Sequence, residues 1–109
     1  MIINAKPLSV NKVWQGRRFK TKDYLNYERE IGYLLPKVSY KGEVEIYYTF
    51  YLKNYLMTDI DNLIKPLQDI LVKNGIIEDD RKILSFNAKK FKSDKDYIEI
   101  TINELKRLN

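Results

Sequence analysis

The chain has 109 residues, 44% of them hydrophobic, and a formal charge of +5 at pH 7, which fits one small domain spanning residues 1–109. It contains no cysteine and no histidine, so disulfides, thiolate chemistry, zinc fingers and histidine-based triads are excluded. Any general acid or base must be a carboxylate, a lysine, a tyrosine or metal-bound water. Without an apolar run of ~20 residues or a signal-peptide core, we expect a cytoplasmic protein with no membrane partner.

The first part of the chain predicts a short strand and then an irregular basic arm. Residues 1–7 form the strand, which Pro7 ends, and residues 8–22 show no clear hydrophobic period. This arm interleaves cations with aromatic rings, which suits gripping a nucleic-acid backbone and stacking on bases. Its candidate nucleic-acid contacts are Lys12, Trp14, Arg17, Arg18, Lys20 and Lys22. The alternative is a solvated loop with its two aromatic rings packed in the core.

A helix and a strand are predicted next. Residues 23–35 have helical spacing, with Thr21 or Asp23 able to cap the start and Pro36 ending the helix. The expected buried face of this helix comprises Tyr24, Tyr27, Ile31 and Leu34. Residues 43–53 alternate between apolar and polar side chains, as expected for a half-buried strand. The inward set of this strand comprises Val44, Ile46, Tyr48, Phe50 and Leu52.

The second half of the chain predicts one more helix and two strands. Residues 62–74 carry an apolar stripe, and Gly75 is suited to the left-handed conformation that ends a helix. The stripe comprises Leu63, Ile64, Leu67, Ile70 and Leu71. Residues 83–91 and 97–104 are predicted as two strands, and in the second Ile98, Ile100 and Ile102 share a face. The order β-α-β-α-β-β predicts an α+β fold, a mixed β-sheet with two helices packed against it.

An acidic motif precedes the second helix and contains Asp59, Asp61, Asn62 and Lys65. Its oxygen ligands suit Mg²⁺, and the ammonium suits a phosphate. Because proline is tolerated only near a helix start, Pro66 predicts a helix beginning at Asp61 or Asn62. Asp59 and Asp61 would then lie in extended backbone and point to one side. The alternative is that both aspartates only cap the helix.

A second acidic cluster, at positions 78–80, follows the helix. A helix from Asp61 to Gly75 is about 20 Å long, and five extended residues leading back to Asp80 span at most about 17 Å. Asp80 therefore falls short of the first cluster within one subunit. Either the helix is shorter, or a two-fold dimer brings Asp80 of one subunit to the first cluster of the other. We favour the dimer.

The motif and its surroundings resemble the RusA-type Holliday junction resolvases. The match comprises Asp-x-Asp-Asn-x-x-Lys at 59–65, the helix ending at Gly75, the Asp79-Asp80 pair, and the segment Ser9-Val10-Asn11-Lys12 after the first strand and proline. The resemblance implies a RusA-like fold and a homodimeric, Mg²⁺-dependent endonuclease, with Mn²⁺ as a possible substitute and no small organic cofactor. Its substrate would be branched DNA, a four-way junction cut symmetrically.

The resemblance also implies roles for individual residues. Asp59, Asp61 and Asp80 would be metal-binding catalytic carboxylates, and Lys65 would be a catalytic residue that also contacts DNA. Family alignments place the catalytic residue second in the pair 79–80. Lys89, with its neighbours Lys90 and Lys92, would join the arm in gripping the DNA backbone, and the junction would be recognised by shape more than by base edges.

Two other functional hypotheses stay open from the sequence. One is a basic DNA-binding module without chemistry, in which the aspartates are caps. The other is a metal-dependent nuclease acting on flaps or RNA.

Overall fold

A computed structural model describes residues 1–16 and 19–105. The strands are β1 (Ile2–Ile3), β2 (Trp14–Gln15), β3 (Phe19–Lys20), β4 (Val44–Leu52), β5 (Ile83–Lys92) and β6 (Tyr97–Glu104). The helices are α1 (Lys22–Leu34) and α2 (Ile64–Lys73), with 3₁₀ turns at Val10–Lys12, Tyr55–Met57, Ile60–Leu63 and Asp80–Lys82. A mixed sheet has the order β1-β6-β4-β5, and β2 pairs with β3 separately. The predicted α+β fold is confirmed, with this small pairing added.

β4 is an inner strand of the sheet, parallel to β5 and antiparallel to β6. Its predicted alternation is confirmed, because the inward set is buried, namely Val44, Ile46, Tyr48, Phe50 and Leu52. Each such side chain stabilises the fold by roughly 1.5–3 kcal/mol when it leaves water. β4 is therefore the rigid element against which the helices pack.

Both helices bury the faces that their spacing predicts, with one exception. Leu34 is 37% exposed, and Leu35 is buried instead. The reason is that α1 ends at Leu34, and the extended backbone of Leu35 turns its side chain back to the core. Thr21 is the N-cap, accepting a hydrogen bond from the backbone N–H of Tyr24 at 3.1 Å. Neither described helix is long and apolar enough to cross a membrane.

The amino-terminal strand is shorter than predicted. Ile2 and Ile3 pair with β6, opposite Glu99 and Ile98, and Met1 exchanges hydrogen bonds with the backbone of Ile100. The backbone N–H of Ala5 donates to the carbonyl of Ile3 at 3.0 Å, and this tight turn ends the pairing before Pro7. The arm at 8–22 is also more ordered than predicted, since it contains a 3₁₀ turn, the β2–β3 pairing and the first residue of α1.

The connection from β4 through α2 to β5 positions the acidic residues. Parallel strands need a crossover connection, and α2 is that crossover. Its entry carries Asp59 and Asp61, and its exit carries Asp80. Gly75 has a φ of 73°, so the predicted left-handed helix end is confirmed. α2 begins at Ile64 and not at Asp61 or Asn62, because a 3₁₀ turn precedes it.

Candidate active site

The entry to α2 places the two aspartates of the motif in different backbone conformations. Asp59 is extended, with φ −79° and ψ 122°, whereas Asp61 lies in the 3₁₀ turn Ile60–Leu63. The prediction that both lie in extended backbone is therefore wrong for Asp61. A 3₁₀ turn has about three residues per turn, which rotates Asp61 away from the direction that a pleated backbone would give it.

The capping alternative finds no support at Asp59. This residue occupies the N-cap position of the 3₁₀ turn, yet its carboxylate accepts no capping hydrogen bond, and Leu63 precedes α2 without a side-chain cap. Asp59 and Asp61 are both exposed. Within residues 1–16 and 19–105, neither carboxylate has a hydrogen-bond or ion-pair partner. Two carboxylates thus remain available to a ligand.

Lys65 lies in the first turn of α2 and forms two ion pairs. Its Nζ is 2.9 Å from Asp69 Oδ1 and 3.5 Å from Asp80 Oδ2. The hydrogen bond that Nζ donates to Asp69, together with the negative charge of Asp80, raises the pKa of Lys65 above its usual range. The ammonium is therefore charged at neutral pH. Pro66 follows it in the same turn, where a missing backbone N–H costs little.

The three acidic residues after α2 have different partners. Glu78 accepts a hydrogen bond from the backbone N–H of Gly42 at 2.9 Å. Asp79 accepts from the backbone N–H of Arg81 at 2.9 Å and pairs with its guanidinium at 2.9 Å, which lowers the pKa of Asp79 well below its usual range. Asp80 alone turns to Lys65. This geometry supports Asp80, rather than Asp79, as the site residue.

Asp59 and Asp80 lie towards opposite ends of β5. The carbonyl of Thr58, next to Asp59, is bound by Lys90 near the end of that strand, whereas Asp80 precedes its first residue, Ile83. Lys65 spans part of this separation with its long side chain. Among the described residues, no three acidic side chains are grouped so that they could hold one metal ion. α2 is shorter than the helix assumed in the length estimate, because it runs only from Ile64 to Lys73, and a site shared between two subunits stays a prediction.

Asp59 lines a cleft of about 550 Å³ between the arm, α1 and the entry to α2. The other polar side chains that line it are those of Lys6, Ser9, Asn11, Lys12, Asp23, Asn26, Glu30, Thr58 and Asn62. From the sequence, positions 9–12 are a family segment in which Lys12 is a candidate DNA contact, and Asn26 and Glu30 have no predicted role. Periodicity could not have found them, because they lie on the polar face of α1 and only the packing of α1 brings them to Asp59.

The predicted nucleic-acid residues lie on several surfaces. Lys12 lines the cleft, and Trp14 is 52% exposed on β2. The Nζ of Lys20 lies 4.7 Å from the ring centre of Tyr24 and 3.8 Å from Glu28 Oε2. Its charge is therefore partly used in contacts within the chain. Exposed positions are also held by Lys22, Lys65 and Lys89. Arg17 and Arg18 lie outside the described residues.

The prediction that Lys90 grips DNA is wrong. Its Nζ donates hydrogen bonds to two backbone carbonyls of the same chain. Lys90 is on the sheet face that packs against the helices, because it pairs with the buried Phe50.

Comparison with known sequences adds to these observations. The sequence pattern described as endodeoxyribonuclease RusA matches residues 5–103 of this chain. The chain belongs to the RusA family. A curated relative, the crossover junction endodeoxyribonuclease rusA of Lactococcus phage r1t, is 45% identical over 47 residues. That match covers 43% of this chain and 36% of the phage protein. The resemblance inferred from the acidic motif is confirmed at the level of the family.

RusA family nucleases are generally metal-dependent, and the residues of this site are suitable ligands for a metal ion. Asp59 and Asp61 offer hard oxygen donors that are exposed and have no protein partner in the described chain. Carboxylate oxygens of this kind are the ligands that Mg²⁺ prefers.

Proposed function

We propose that this RusA family protein is a Mg²⁺-dependent endodeoxyribonuclease. It resolves four-way DNA junctions by paired phosphodiester hydrolysis in recombination and repair. The observation that carries the proposal is a pair of carboxylates, Asp59 and Asp61, that have no partner among residues 1–16 and 19–105 and are close in sequence to a charged Lys65 that pairs with Asp80. A basic chain of net charge +5 favours a polyanionic substrate.

Each proposed site residue has a chemical role. Asp59, Asp61 and Asp80 would hold the cation, which when bound would supply an activated water and offset charge on the phosphate. Lys65 neutralises the scissile phosphate as negative charge develops. Its present ion pairs are more than half exposed on the lysine side, so exchanging them for a phosphate costs little. With no histidine in the chain, a carboxylate can accept the proton of the attacking water.

A homodimer would complete this site. Within the described part of one chain, no three acidic side chains are grouped as ligands of one metal ion, so the third carboxylate would come from the partner subunit. A two-fold dimer has two equivalent sites, which matches two symmetric incisions across a four-way junction.

DNA would be held by the arm and by the sheet edge. Lys12, Lys20, Lys22 and Lys89 would contact phosphates, Trp14 would stack on an exposed base, and Arg17 and Arg18 would add charge. Such contacts carry little sequence information, so the junction would be selected by its shape.

A cleavage assay tests the proposal. The purified protein is incubated with a synthetic four-way junction, a flap, a linear duplex and an RNA hairpin, each with Mg²⁺, with Mn²⁺ or with a chelator. We expect paired nicks in the junction alone and only with a metal. An Asp61→Asn variant should bind the junction without cutting it, which controls for a contaminating nuclease.

Other outcomes would contradict the proposal. Junction binding without nicking in either metal would support a binding module. Preferred cutting of the flap or the RNA would assign a different substrate to the same metal-dependent site.

A further inference from the structure

Lys90 is a lysine of the edge strand β5 that points into the molecule. It pairs in register with Phe50, which is fully buried, so its side chain lies on the sheet face that packs against the helices. Its Nζ donates to the carbonyl of Tyr55 and to that of Thr58, both at 2.7 Å. An ammonium has three donors and no acceptor, so carbonyl oxygens are suitable partners for it.

The segment bound by Lys90 has few other anchors. This segment, residues 53–58, is called here the β4–α2 loop. Leu56 and Met57 in its 3₁₀ turn are 76% and 88% exposed and do not bury apolar surface. At its start, the backbone N–H of Lys53 donates to Asp96 Oδ1 at 2.8 Å. Its internal hydrogen bonds are local: Met57 N and Thr58 Oγ1 both donate to the carbonyl of Asn54. Tyr55 packs partly against the core. The two hydrogen bonds from Lys90 connect this loop to a strand more than 30 residues away.

The loop ends where the acidic motif begins. The Thr58 carbonyl belongs to the peptide group whose nitrogen is that of Asp59. Because this peptide group is planar, a hydrogen bond to its oxygen also constrains the backbone of Asp59. Asp59 has no capping or ion-pair contact of its own in the described chain. The direction of the Asp59 carboxylate therefore depends on the conformation of its own backbone.

We propose that Lys90 is a positioning residue that holds the β4–α2 loop and thereby aims the Asp59 carboxylate for metal binding. The metal-binding part of this inference rests on the proposed function. The positioning part concerns the loop alone. The neighbouring Lys89 lies on the opposite face of the strand.

Three variants separate positioning from DNA contact and from general stability. Lys90→Met keeps the aliphatic stem but removes the donors. Lys90→Arg keeps charge and donors. Lys95→Met, in the exposed β5–β6 turn, is the matched control because it removes one positive charge elsewhere. For each, we would measure amide hydrogen exchange, the Mg²⁺ concentration for half-maximal junction cutting, the cutting rate and the Kd for the junction.

We expect Lys90→Met to speed amide exchange in residues 54–59 while the sheet stays protected. Cutting should fall about 10–100-fold, as is typical when a group that orients a metal ligand is lost. The half-maximal Mg²⁺ concentration should rise, and the junction Kd and its salt dependence should match those of Lys95→Met. Lys90→Arg should recover part of the rate and of the loop protection.

Several results would overturn the inference. Unchanged exchange in the loop would show that Lys90 does not hold it. Faster exchange throughout the chain would assign Lys90 to general stability, and a weaker junction Kd with a smaller salt slope would assign it to DNA contact. If Lys90→Met fails to fold, Lys90→Arg decides the question by loop exchange and Mg²⁺ dependence. If the wild-type protein never cuts DNA, the proposed function fails, but loop exchange still decides the positioning.

Discussion

Asp79 and Asp80 are adjacent carboxylates with different uses. Arg81 engages Asp79 through both its backbone N–H and its guanidinium, and this contact shapes the 3₁₀ turn before β5. Asp80 is about half exposed and its described partner is Lys65, itself exposed. Since the Lys65–Asp80 pair is screened by water, it contributes little stability. Asp80 is therefore free to exchange Lys65 for a cation.

Exchanging each carboxylate for an amide should separate these two uses. Asp80→Asn should abolish junction cutting while the melting temperature stays near that of the wild type. Asp79→Asn should retain cutting and remove a contact that needs an ionised carboxylate. The pKa of Asp79 is lowered in the folded state. The stabilisation that this contact gives the folded state is therefore complete above the unfolded pKa of about 3.9, and it is lost as the pH falls through the folded-state pKa.

The measurements for this pair are nicking rates and thermal melts across acid pH. Cutting by Asp80→Asn at the wild-type rate, with cutting lost in Asp79→Asn, would reverse the assignment of the two residues.

At the scale of elements, α2 is defined by its two ends. Its first turn follows a 3₁₀ turn that no hydrophobic period could reveal, because Leu63 and Ile64 are buried in either conformation. Its last turn was predictable, because glycine after an apolar helix is a common stop. The apolar stripe between them depends on spacing alone and is found where the sequence predicts it.

Gly75→Ala should destabilise the fold through the backbone alone. The residue has a φ of +73°, and an added Cβ would meet no atom within 4 Å. The expected loss in the free energy of unfolding is about 1–2 kcal/mol, the cost of left-handed backbone in an L-residue. Gly75→Asn is the matched control and should lose less, since asparagine tolerates this conformation.

Urea denaturation of both variants would measure these losses. Equal stability of Gly75→Ala and the wild type would show that α2 does not need a left-handed residue at its end.

At the scale of the whole molecule, the acidic residues are divided by the crossover connection. Asp59 lies at the entry to α2 and Asp80 lies after its exit, although the Asp80 side chain turns back to Lys65 in the first turn of the helix. A dimer with α2 antiparallel to its counterpart would bring the separated carboxylates together.

Mixing inactive subunits tests this arrangement. Asp61→Asn and Asp80→Asn homodimers should each fail to cut. When they are denatured together and refolded, heterodimers should form in which one of the two sites has all its native ligands. We expect single nicks in the four-way junction rather than paired ones, because each heterodimer has one intact site and the wild-type dimer has two. No nicking in a mixture shown to contain heterodimers would argue that the ligands do not cross the interface.

The sequence alone determined the features that depend on local pattern. The absence of histidine and cysteine restricts the chemistry, strict alternation defines β4, and spacing defines α2 and the acidic motif. Only the tertiary structure decided which polar groups meet. Asp79 turns to Arg81 and Asp80 to Lys65, the arm and α1 close a cleft around Asp59, and Lys90 points inward. These contacts depend on which distant segments pack together, and the hydrophobic period of one segment does not identify the segment that it meets.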